Sequence, residues 1–302
     1  MSASPVRLKF TPVDVLLLFL VIIWGTNFSV VKVVVAEIPP FGFNTLRLIT
    51  ASVVLLLAVR VTGAPAPARS AWPRLLALGF FGHCCYQLSF ISGLVRTSVT
   101  NTSLILGCMP VAVLILNAAS RHRERVRWPQ WTGIALASLG VYLVVGVGAS
   151  ASRDTQWGDL LTIVAVWCWA WYTIGSRTLL AQYSPLQVSA YTTLIGTMFF
   201  VPFGVTDLVN LNWGGVSVWA WGGLIASGVL ALSVSHIIWH MGVQRLGSAR
   251  TSIYSNLIPV AAMTVATIWL SEPIGWSKMA GAALVVGGLL LARVERTTSA
   301  GG

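Results

Sequence analysis

The chain carries one short pattern twice, and this duplication decides the fold. Residues 124–140 are ERVRWPQWTGIALASLG, and residues 272–288 are EPIGWSKMAGAALVVGG. Both stretches hold a glutamate, a tryptophan and two glycines at the same spacing: Glu124, Trp128, Gly133 and Gly140, then Glu272, Trp276, Gly281 and Gly288. A motif that recurs about 148 residues later indicates a chain built from two similar units.

The agreement extends outward when the first half is shifted by about 145 to 149 positions. Asp14, Trp24, Lys32 and Pro40 then match Asp159, Trp169, Arg177 and Pro185, and Gly93, Arg96, Thr102, Ser103 and Pro110 match Gly242, Arg245, Thr251, Ser252 and Pro259. Most other positions differ, which is typical of internal repeats in transporters. The sequence predicts a first unit over residues 1–150 and a second over residues 151–302.

The composition indicates that lipid is the solvent, since 56% of the 302 residues are apolar and only 9% are charged. A helix crosses a bilayer with about 20 apolar residues. Such runs lie near residues 13–36, 40–61, 74–95, 98–118, 129–148, 157–179, 185–205, 217–241, 248–270 and 275–293. We predict an all-α membrane protein with ten transmembrane helices, five in each unit.

An odd number of helices in each unit has a topological consequence. The second unit must begin on the opposite side of the membrane from the first, so the two units are predicted to be inverted repeats around a central cavity. Two inverted units allow two nearly equivalent packings, each open to one side. The arrangement predicts transport by alternating access.

The net charge of +11 is explained by topology rather than by nucleic-acid binding. With a cytoplasmic N-terminus, fourteen basic residues lie on or near the inside: Arg7, Lys9, Arg60, Arg69, Arg74, Arg121, Arg123, Arg125, Arg127, Arg177, Arg245, Arg250, Arg293 and Arg296. Four lie on the other side, Lys32, Arg96, Arg153 and Lys278. The positive-inside rule therefore predicts a multi-pass protein of the cell inner membrane with both termini in the cytoplasm.

The first apolar segment is predicted to be a retained helix, because it lacks a small-residue cleavage site and continues directly into Trp24. The four cysteines, Cys84, Cys85, Cys108 and Cys168, all fall inside predicted spans. Their spacing matches neither a disulfide framework nor a zinc site. We interpret them as packing residues.

The chain resembles the EamA-type branch of the drug/metabolite transporter superfamily. The resemblance rests on Trp24-Gly25-Thr26-Asn27, on Pro40 followed by Arg47, on the spans that contain Pro110 and Pro259, and on the doubled motif. It covers nearly the whole chain, and within the family it is strongest to bacterial inner-membrane exporters of aromatic amino acids. It implies that the first four helices of each unit surround the cavity while the fifth packs outside.

The third predicted span holds polar, aromatic and small residues on one helical face, spaced at three and four positions: Gly79, Gly82, His83, Tyr86, Ser89, Phe90 and Gly93. An ionisable group near the middle of a span is a functional candidate. We predict that His83 and Tyr86 bind substrate; the alternative for His83 is a neutral hydrogen bond between helices. The repeat places Trp239 on the matching face of the eighth span, beside His236 and His240.

The sixth predicted span is rich in aromatic residues. Trp167 and Trp171 are one turn apart, with Trp169 between them. An indole at that depth needs a partner for its N–H group or a cavity, and an aromatic cage suits a planar, largely apolar ligand. We predict that Trp167 and Trp171 bind substrate; plain helix packing is the alternative.

The fourth and ninth spans each contain a polar stretch that ends in a proline, Pro110 or Pro259. Proline frees a backbone carbonyl, and a helix start offers N–H groups to a carboxylate. We include Asn101, Ser248, Tyr254 and Asn256 among the predicted substrate-binding residues. Arg47, about seven residues into the second span, either snorkels to the interface or attracts an anionic group.

These features favour an exporter of aromatic or other largely apolar amino acids or small metabolites. No predicted span holds an aspartate or glutamate at mid-depth, which a proton antiporter for cationic drugs needs. Facilitated diffusion or exchange is therefore the simpler mechanism. We predict no cofactor, no metal and no nucleic acid; the partners are a small-molecule substrate and membrane lipid.

Two alternatives stay open. The same fold carries other solutes, such as nucleosides or drug-like compounds. An intramembrane enzyme is a different class of function, and the sequence lacks the His-Glu-x-x-His, Gly-x-Ser-x-Gly and phosphate-loop motifs that would support one. The sequence does not decide the oligomeric state.

Overall fold

The computed structural model describes residues 11–120, 152–271 and 274–292, with single positions between 128 and 143. All regular structure in these residues is helical. The predicted span 129–148 falls largely outside them, as do the arginine-rich stretch 121–127 and Glu272.

In residues 11–120 of the first half, the structure has six α-helices. They are α1 Pro12–Val34, α2 Pro40–Thr62, α3 Trp72–Gly79, α4 Tyr86–Arg96, α5 Val99–Leu106 and α6 Met109–Ala119. A π-helical segment, Phe80–Cys85, joins α3 to α4, so these form one long interrupted helix. A break at Gly107 and Cys108, just before Pro110, separates α5 from α6.

The second half repeats this order. Its helices are α7 Arg153–Leu180, α8 Pro185–Val209, α9 Val218–Ala226, α10 Ser235–Leu246, α11 Ser248–Ile253, α12 Ile258–Leu270 and α13 Trp276–Ala292. A π-helical segment, Ser227–Val234, again joins α9 to α10. A 3-10 segment, Tyr254–Leu257, separates α11 from α12 just before Pro259. The two interruptions therefore recur at matching positions in both halves.

Seven of the helical stretches in the described residues are long and apolar enough to cross a membrane. They are Pro12–Val34, Pro40–Thr62, Arg69–Arg96, Val99–Ala119, Pro185–Val209, Val218–Leu246 and Ser248–Leu270. α7 has 28 residues, but it is less apolar over its length, and it includes the charged residues Arg153, Asp154, Asp159 and Arg177. α13 is apolar and has 17 residues.

Local chemistry sets the helix boundaries. α1 and α8 each begin with a capping box followed by proline, formed by Thr11 with Asp14 and by Ser184 with Gln187. α2 ends at Gly63, whose φ of 65° is accessible to glycine without strain. These signals explain why hydropathy and turn residues located most boundaries within a few positions.

α2 and α8, which occupy matching places in the two halves, pack against each other and run antiparallel. The Gly42 N–H group donates to Asp207 Oδ2 at 2.9 Å, while ten residues further along α2 the Ser52 hydroxyl lies 2.8 Å from that of Thr197. The Asp207 carboxylate also accepts from the N–H group of Phe41 at 3.0 Å, so it caps the start of α2.

The remaining packing is reciprocal between the halves. α1 packs on α9, α10 and α12, while α7 packs on α3, α4, α5 and α6. The two halves also share close backbone contacts at glycine. A Cβ added to Gly79 would lie 2.8 Å from the backbone oxygen of Thr192, and a Cβ added to Gly228 would lie 3.0 Å from the backbone oxygen of Arg47. In the alignment of the halves these two pairs are equivalent.

Candidate functional site

A cavity lies where α1, α2, α4 and α7 meet the interrupted helices of the other spans. Its lining residues come from both halves: Trp24, Asn27, Phe28, Arg47, Tyr86, Gln87, Phe90, Leu106, Met109, Trp169, Ala231, Leu232, His236 and Ile258. The lining is mostly aromatic and aliphatic with a few polar groups, which is the composition of a small-molecule site.

Aromatic rings form one wall of the cavity. Trp24 and Trp169, equivalent residues of the two halves, meet edge to face with ring centroids 5.7 Å apart. Tyr86 lies 4.9 Å from Trp169 and stacks on Phe90 at 5.8 Å. The Trp24 indole donates to Ala231 O at 2.9 Å, which fixes its orientation. Flat apolar surfaces of this kind favour planar, apolar solutes.

A chain of polar side chains also reaches the cavity. Arg47 Nη1 donates to Ser227 Oγ at 3.2 Å, and Ser227 Oγ in turn donates to Asn27 Oδ1 at 2.6 Å. Arg47 Nη2 donates to Gln87 Oε1 at 3.3 Å. The Arg47 side chain is only 2% exposed, so the α2 arginine does not snorkel to a membrane surface but lies inside the protein.

Histidines and a tyrosine extend from the cavity into the protein. His236 lines the cavity, and its ring centroid lies 5.0 Å from that of His83. His83 Nε2 lies 3.0 Å from Tyr172 Oη, which lies 2.9 Å from Thr192 Oγ1. Since Thr192 donates its hydroxyl proton to Val188 O, this chain is satisfied when Tyr172 donates to Thr192 and His83 donates from Nε2.

Buried polar contacts close both ends of the helix bundle. Where α1 and α11 begin, Asp14 is 1% exposed and accepts a hydrogen bond from Tyr254 Oη, with Arg250 Nη2 3.8 Å away. Where α5 and α7 begin, Asp159 is 2% exposed and accepts from Asn101 Nδ2 at 3.5 Å. Asp14 and Asp159 are equivalent in the repeat, as are Arg250 and Asn101.

The cavity between these ends is small, with a volume of about 40 Å³. It has room for a few water molecules, whereas ligand pockets usually measure roughly 300–1,000 Å³. A ligand of the size that such pockets usually hold would fit only if the surrounding helices moved apart.

The structure brings three predicted site residues to the cavity or its immediate surroundings. Tyr86 lines it, and His83 contacts the lining residues Trp169 and His236. Trp239 is fully buried behind the wall, 5.4 Å from Trp24, and donates to Thr173 Oγ1 at 3.1 Å. The hydrogen bond between helices that was the alternative for His83 is present as well.

The structure does not bring Trp167 and Trp171 to the cavity. Their side chains are 41% and 39% exposed and lie on the outer side of α7, whereas Trp169 between them is 1% exposed. Trp171 lines a separate groove with Arg74 and Arg177. The helical phase of α7 thus turns Trp169 toward the cavity and its neighbours two positions away to the outside, since residues two apart on a helix face nearly opposite directions.

The other four predicted site residues lie away from the cavity lining. Asn101 and Tyr254 contact the buried aspartates Asp159 and Asp14. Ser248 is fully buried at the start of α11, and Asn256 is 4% exposed in the 3-10 segment.

Several lining residues were missed, although the sequence contained a signal for some. Trp24 and Asn27 belong to the Trp-Gly-Thr-Asn motif, and Trp169 matches Trp24 in the repeat. Phe28 and Met109 carry no such signal. Among the residues that the structure describes, no cluster of metal-ligating side chains occurs.

The EamA-like transporter family model matches the chain twice, over residues 11–146 and 156–294. The protein therefore belongs to the EamA-like transporter family, within the drug/metabolite transporters. Together with the apolar helices, this membership makes it an integral, multi-pass membrane transporter.

Curated relatives resemble the chain over nearly its full length. The "Probable terminal-alkyne amino-acid exporter" of Streptantibioticus cattleyicolor is 28% identical, covering 91% of each chain. The "Probable amino-acid metabolite efflux pump" of Escherichia coli (strain K12) is 25% identical over 92% of this chain and 93% of its own. The "Uncharacterized transporter YetK" of Bacillus subtilis is 26% identical over 90% and 84%.

A solved crystal structure shares the fold. It superposes with a TM-score of 0.71, covers 93% of this chain and 98% of its own, and is 17% identical in sequence. At that identity the likeness establishes the fold alone.

Proposed function

We propose that the protein exports aromatic or other largely apolar amino acids, or closely related metabolites, by alternating access between two inverted five-helix units. The observation that carries the proposal is a cavity at the interface of the halves, lined by aromatic rings and a few polar side chains.

Inverted repeats are supported by sequence and packing together. The family model matches once in each half. The equivalent helices α2 and α8 run antiparallel, and the interruptions in the third and fourth spans recur in the eighth and ninth. An axis lying in the membrane plane relates two units that have these properties. We assign residues 1–150 and 151–302 to them, with the fifth helix of each packed outside.

Alternating access is supported by the way the cavity is closed. One end is held by Asp14 with Tyr254 and the other by Asp159 with Asn101. Separation of one contact while the other stays intact would open the cavity to one side only, and the two aspartates are equivalent in the repeat. Such a device gives two states of similar free energy.

The substrate class is supported by the cavity lining and by the names of relatives. Trp24, Trp169 and Tyr86 provide surface for a planar or apolar side chain. Relatives named as exporters of amino acids or their metabolites match along more than nine tenths of this chain. We assign the protein to the inner membrane with both termini cytoplasmic, because the excess of basic residues on that side follows the positive-inside rule.

The experiment is transport by the purified full-length chain in liposomes. We expect saturable uptake of radiolabelled phenylalanine, accelerated by unlabelled phenylalanine inside, without a requirement for a proton or sodium gradient. Excess leucine should compete and excess uridine should not. Absence of saturable uptake of phenylalanine, leucine and tryptophan would refute the proposal, whereas competition by uridine would favour a nucleoside carrier and chemical conversion of the solute an enzyme.

A matched pair of variants tests the site. Trp169→Ala removes an aromatic wall of the cavity, while Trp167→Ala removes a similar side chain two residues away on the outer face. Aromatic contacts contribute about 0.5–1.5 kcal/mol each, and 1.4 kcal/mol is a factor of ten. We expect KM for phenylalanine to rise about tenfold in Trp169→Ala and to stay near wild type in Trp167→Ala. The reverse pattern would place the site on the other face of α7.

A further inference from the structure

We infer that Arg47 is the carboxylate-binding residue of the transport site, so that this exporter requires a carboxylate on its solute but not an amino group. The inference rests on the proposed function and adds the chemical group that the site selects.

The buried charge of Arg47 lacks an anionic partner. In the part of the chain that the structure describes, no carboxylate lies within 4.0 Å of its guanidinium. Its hydrogen-bond acceptors, Ser227 Oγ and Gln87 Oε1, are uncharged and lie at 3.2 and 3.3 Å. Charge-assisted hydrogen bonds are usually about 2.7–2.9 Å long. An arginine is always charged, and burial of an unpaired charge is costly.

The cavity offers hydrogen-bond donors that lack acceptors. Arg47 Nε, Gln87 Nε2 and Trp169 Nε1 are buried and have no hydrogen-bond partner, and all three side chains line the cavity. Each of these atoms is a nitrogen that donates and does not accept. Three unsatisfied donors around one cavity, one of them on a cation, specify an anionic acceptor such as a carboxylate with two oxygens.

The charge balance favours a carboxylate over a phosphate ester. Arg47 is the one charged side chain among the lining residues that the structure describes. A carboxylate neutralises it, whereas a doubly charged phosphate would leave a net negative charge in a site of low polarity. The guanidinium carbon lies 5.5 Å from the Phe43 ring centroid and 5.9 Å from that of Phe90, so aromatic faces hold the group in place.

The same lining contains no ion-pair partner for an amino group. It has no aspartate or glutamate, and its acceptors are uncharged, such as Asn27 Oδ1, which already accepts from Ser227. An ammonium group therefore gains little here. Acids that lack the amino group should bind about as well as the amino acid.

Competition with radiolabelled phenylalanine in proteoliposomes tests this directly. Phenylalaninamide retains the ring and the amino group but lacks the carboxylate; 3-phenylpropionate retains the ring and the carboxylate but lacks the amino group. We expect 3-phenylpropionate to compete with an inhibition constant close to that of phenylalanine, and phenylalaninamide to be about 10- to 100-fold weaker, the range for loss of a charged hydrogen-bond partner. Equal competition by the amide would overturn the inference.

Variants supply a second readout. Arg47→Gln should lower phenylalanine affinity by about 10- to 100-fold and remove the preference for 3-phenylpropionate over the amide. Arg60→Gln is the matched control on the same helix, because Arg60 is exposed, and it should behave like wild type. An Arg47→Gln protein that is folded and saturates as wild type does would overturn the inference; if the variant does not fold, the wild-type competition decides.

Failure of the proposed transport function can be distinguished from failure of the inference about Arg47. If wild-type protein transports no apolar amino acid, tryptophan fluorescence titration of the same protein still compares binding of 3-phenylpropionate with that of phenylalaninamide. Binding of the acid alone supports the role of Arg47 without transport. Binding of neither, or of both equally, refutes it.

Discussion

Removal of the Tyr254 hydroxyl group tests whether its hydrogen bond to Asp14 keeps one end of the helix bundle closed. This hydroxyl donates to the buried carboxylate of Asp14, which also accepts from the N–H group and the hydroxyl of Thr11, both at 2.6 Å, and lies 3.8 Å from Arg250 Nη2. The substitution Tyr254→Phe deletes one donor, keeps the ring and adds no atom. It weakens the contact between α11 and α1 without disturbing the packing.

The size of the effect follows from the charge on Asp14. A hydrogen bond to a charged group contributes about 1.5–3 kcal/mol, and 1.4 kcal/mol is a tenfold change in an equilibrium constant. Loss of the Tyr254 donor should therefore make separation of α11 from α1 about 10- to 150-fold more frequent. The remaining contacts to Thr11 and Arg250 keep the carboxylate partnered, so the lower part of this range is expected.

Backbone hydrogen exchange in lipid nanodiscs measures this separation, because exchange reports local opening. Amides of residues 248–257 should exchange faster in Tyr254→Phe, while those of residues 99–106, in α5 near the other end, should not. Tyr183→Phe is the matched control, since it removes a tyrosine hydroxyl that accepts from the N–H group of Ala68 at 3.1 Å in an exposed contact. Wild-type exchange rates in residues 248–257 of Tyr254→Phe would show that this hydrogen bond does not hold the end closed.

Substitutions at three further positions have defined outcomes. Gly196→Ala places a methyl group against His83 Cβ, where α8 crosses the interrupted third span. This overpacking should destabilise the protein by about 1–3 kcal/mol, seen as a lower melting temperature in detergent. An unchanged melting temperature would show that the two helices can separate freely. Asp207→Ala should destabilise the protein by about 0.5–2 kcal/mol, because it removes the side chain that caps α2. Asp207→Asn should destabilise it by less, because the asparagine keeps an acceptor oxygen and only the charge is lost. Equal destabilisation by the two variants would contradict this reasoning. Gly140→Leu should destabilise the protein by about 1–3 kcal/mol through overpacking, seen as a lower melting temperature, because a Cβ there would lie 2.7 Å from Gly281 O; an unchanged melting temperature would mean that Gly140 and Gly281 are not in close contact.

Helix positions could be predicted because the signals are local. The predicted span 248–270 coincides with the observed stretch Ser248–Leu270, and the predicted span 40–61 with Pro40–Thr62. Prolines, capping serines and glycines act within one turn of the chain, so their effect is visible without knowledge of the neighbours. The π-helical segments at Phe80–Cys85 and Ser227–Val234 have no such signal and were not predicted.

Side-chain direction was harder to predict, as α7 illustrates. Trp167, Trp169 and Trp171 occur within five positions of an apolar helix; the sequence favoured Trp167 and Trp171, whereas Trp169 is the indole that lines the cavity. Arg47 illustrates the same difficulty, since snorkelling and anion attraction were both open until its 2% exposure placed it inside. In a soluble protein, the polar face of a helix would have shown which of its side chains point outward.

The sequence by itself determined that the protein lies in lipid, that its chain consists of two similar halves, and which family it belongs to. Hydropathy, repeated spacing and motif residues can all be identified without knowledge of the tertiary structure. Only the tertiary structure decided which side chains meet: Trp24, Arg47, Trp169 and His236 come from four separate helices and converge on one cavity. The physical reason is that lipid tails are as apolar as the protein interior. A membrane helix therefore shows little contrast between its inward and outward faces, and the faces are assigned only by the close packing of the helices against one another.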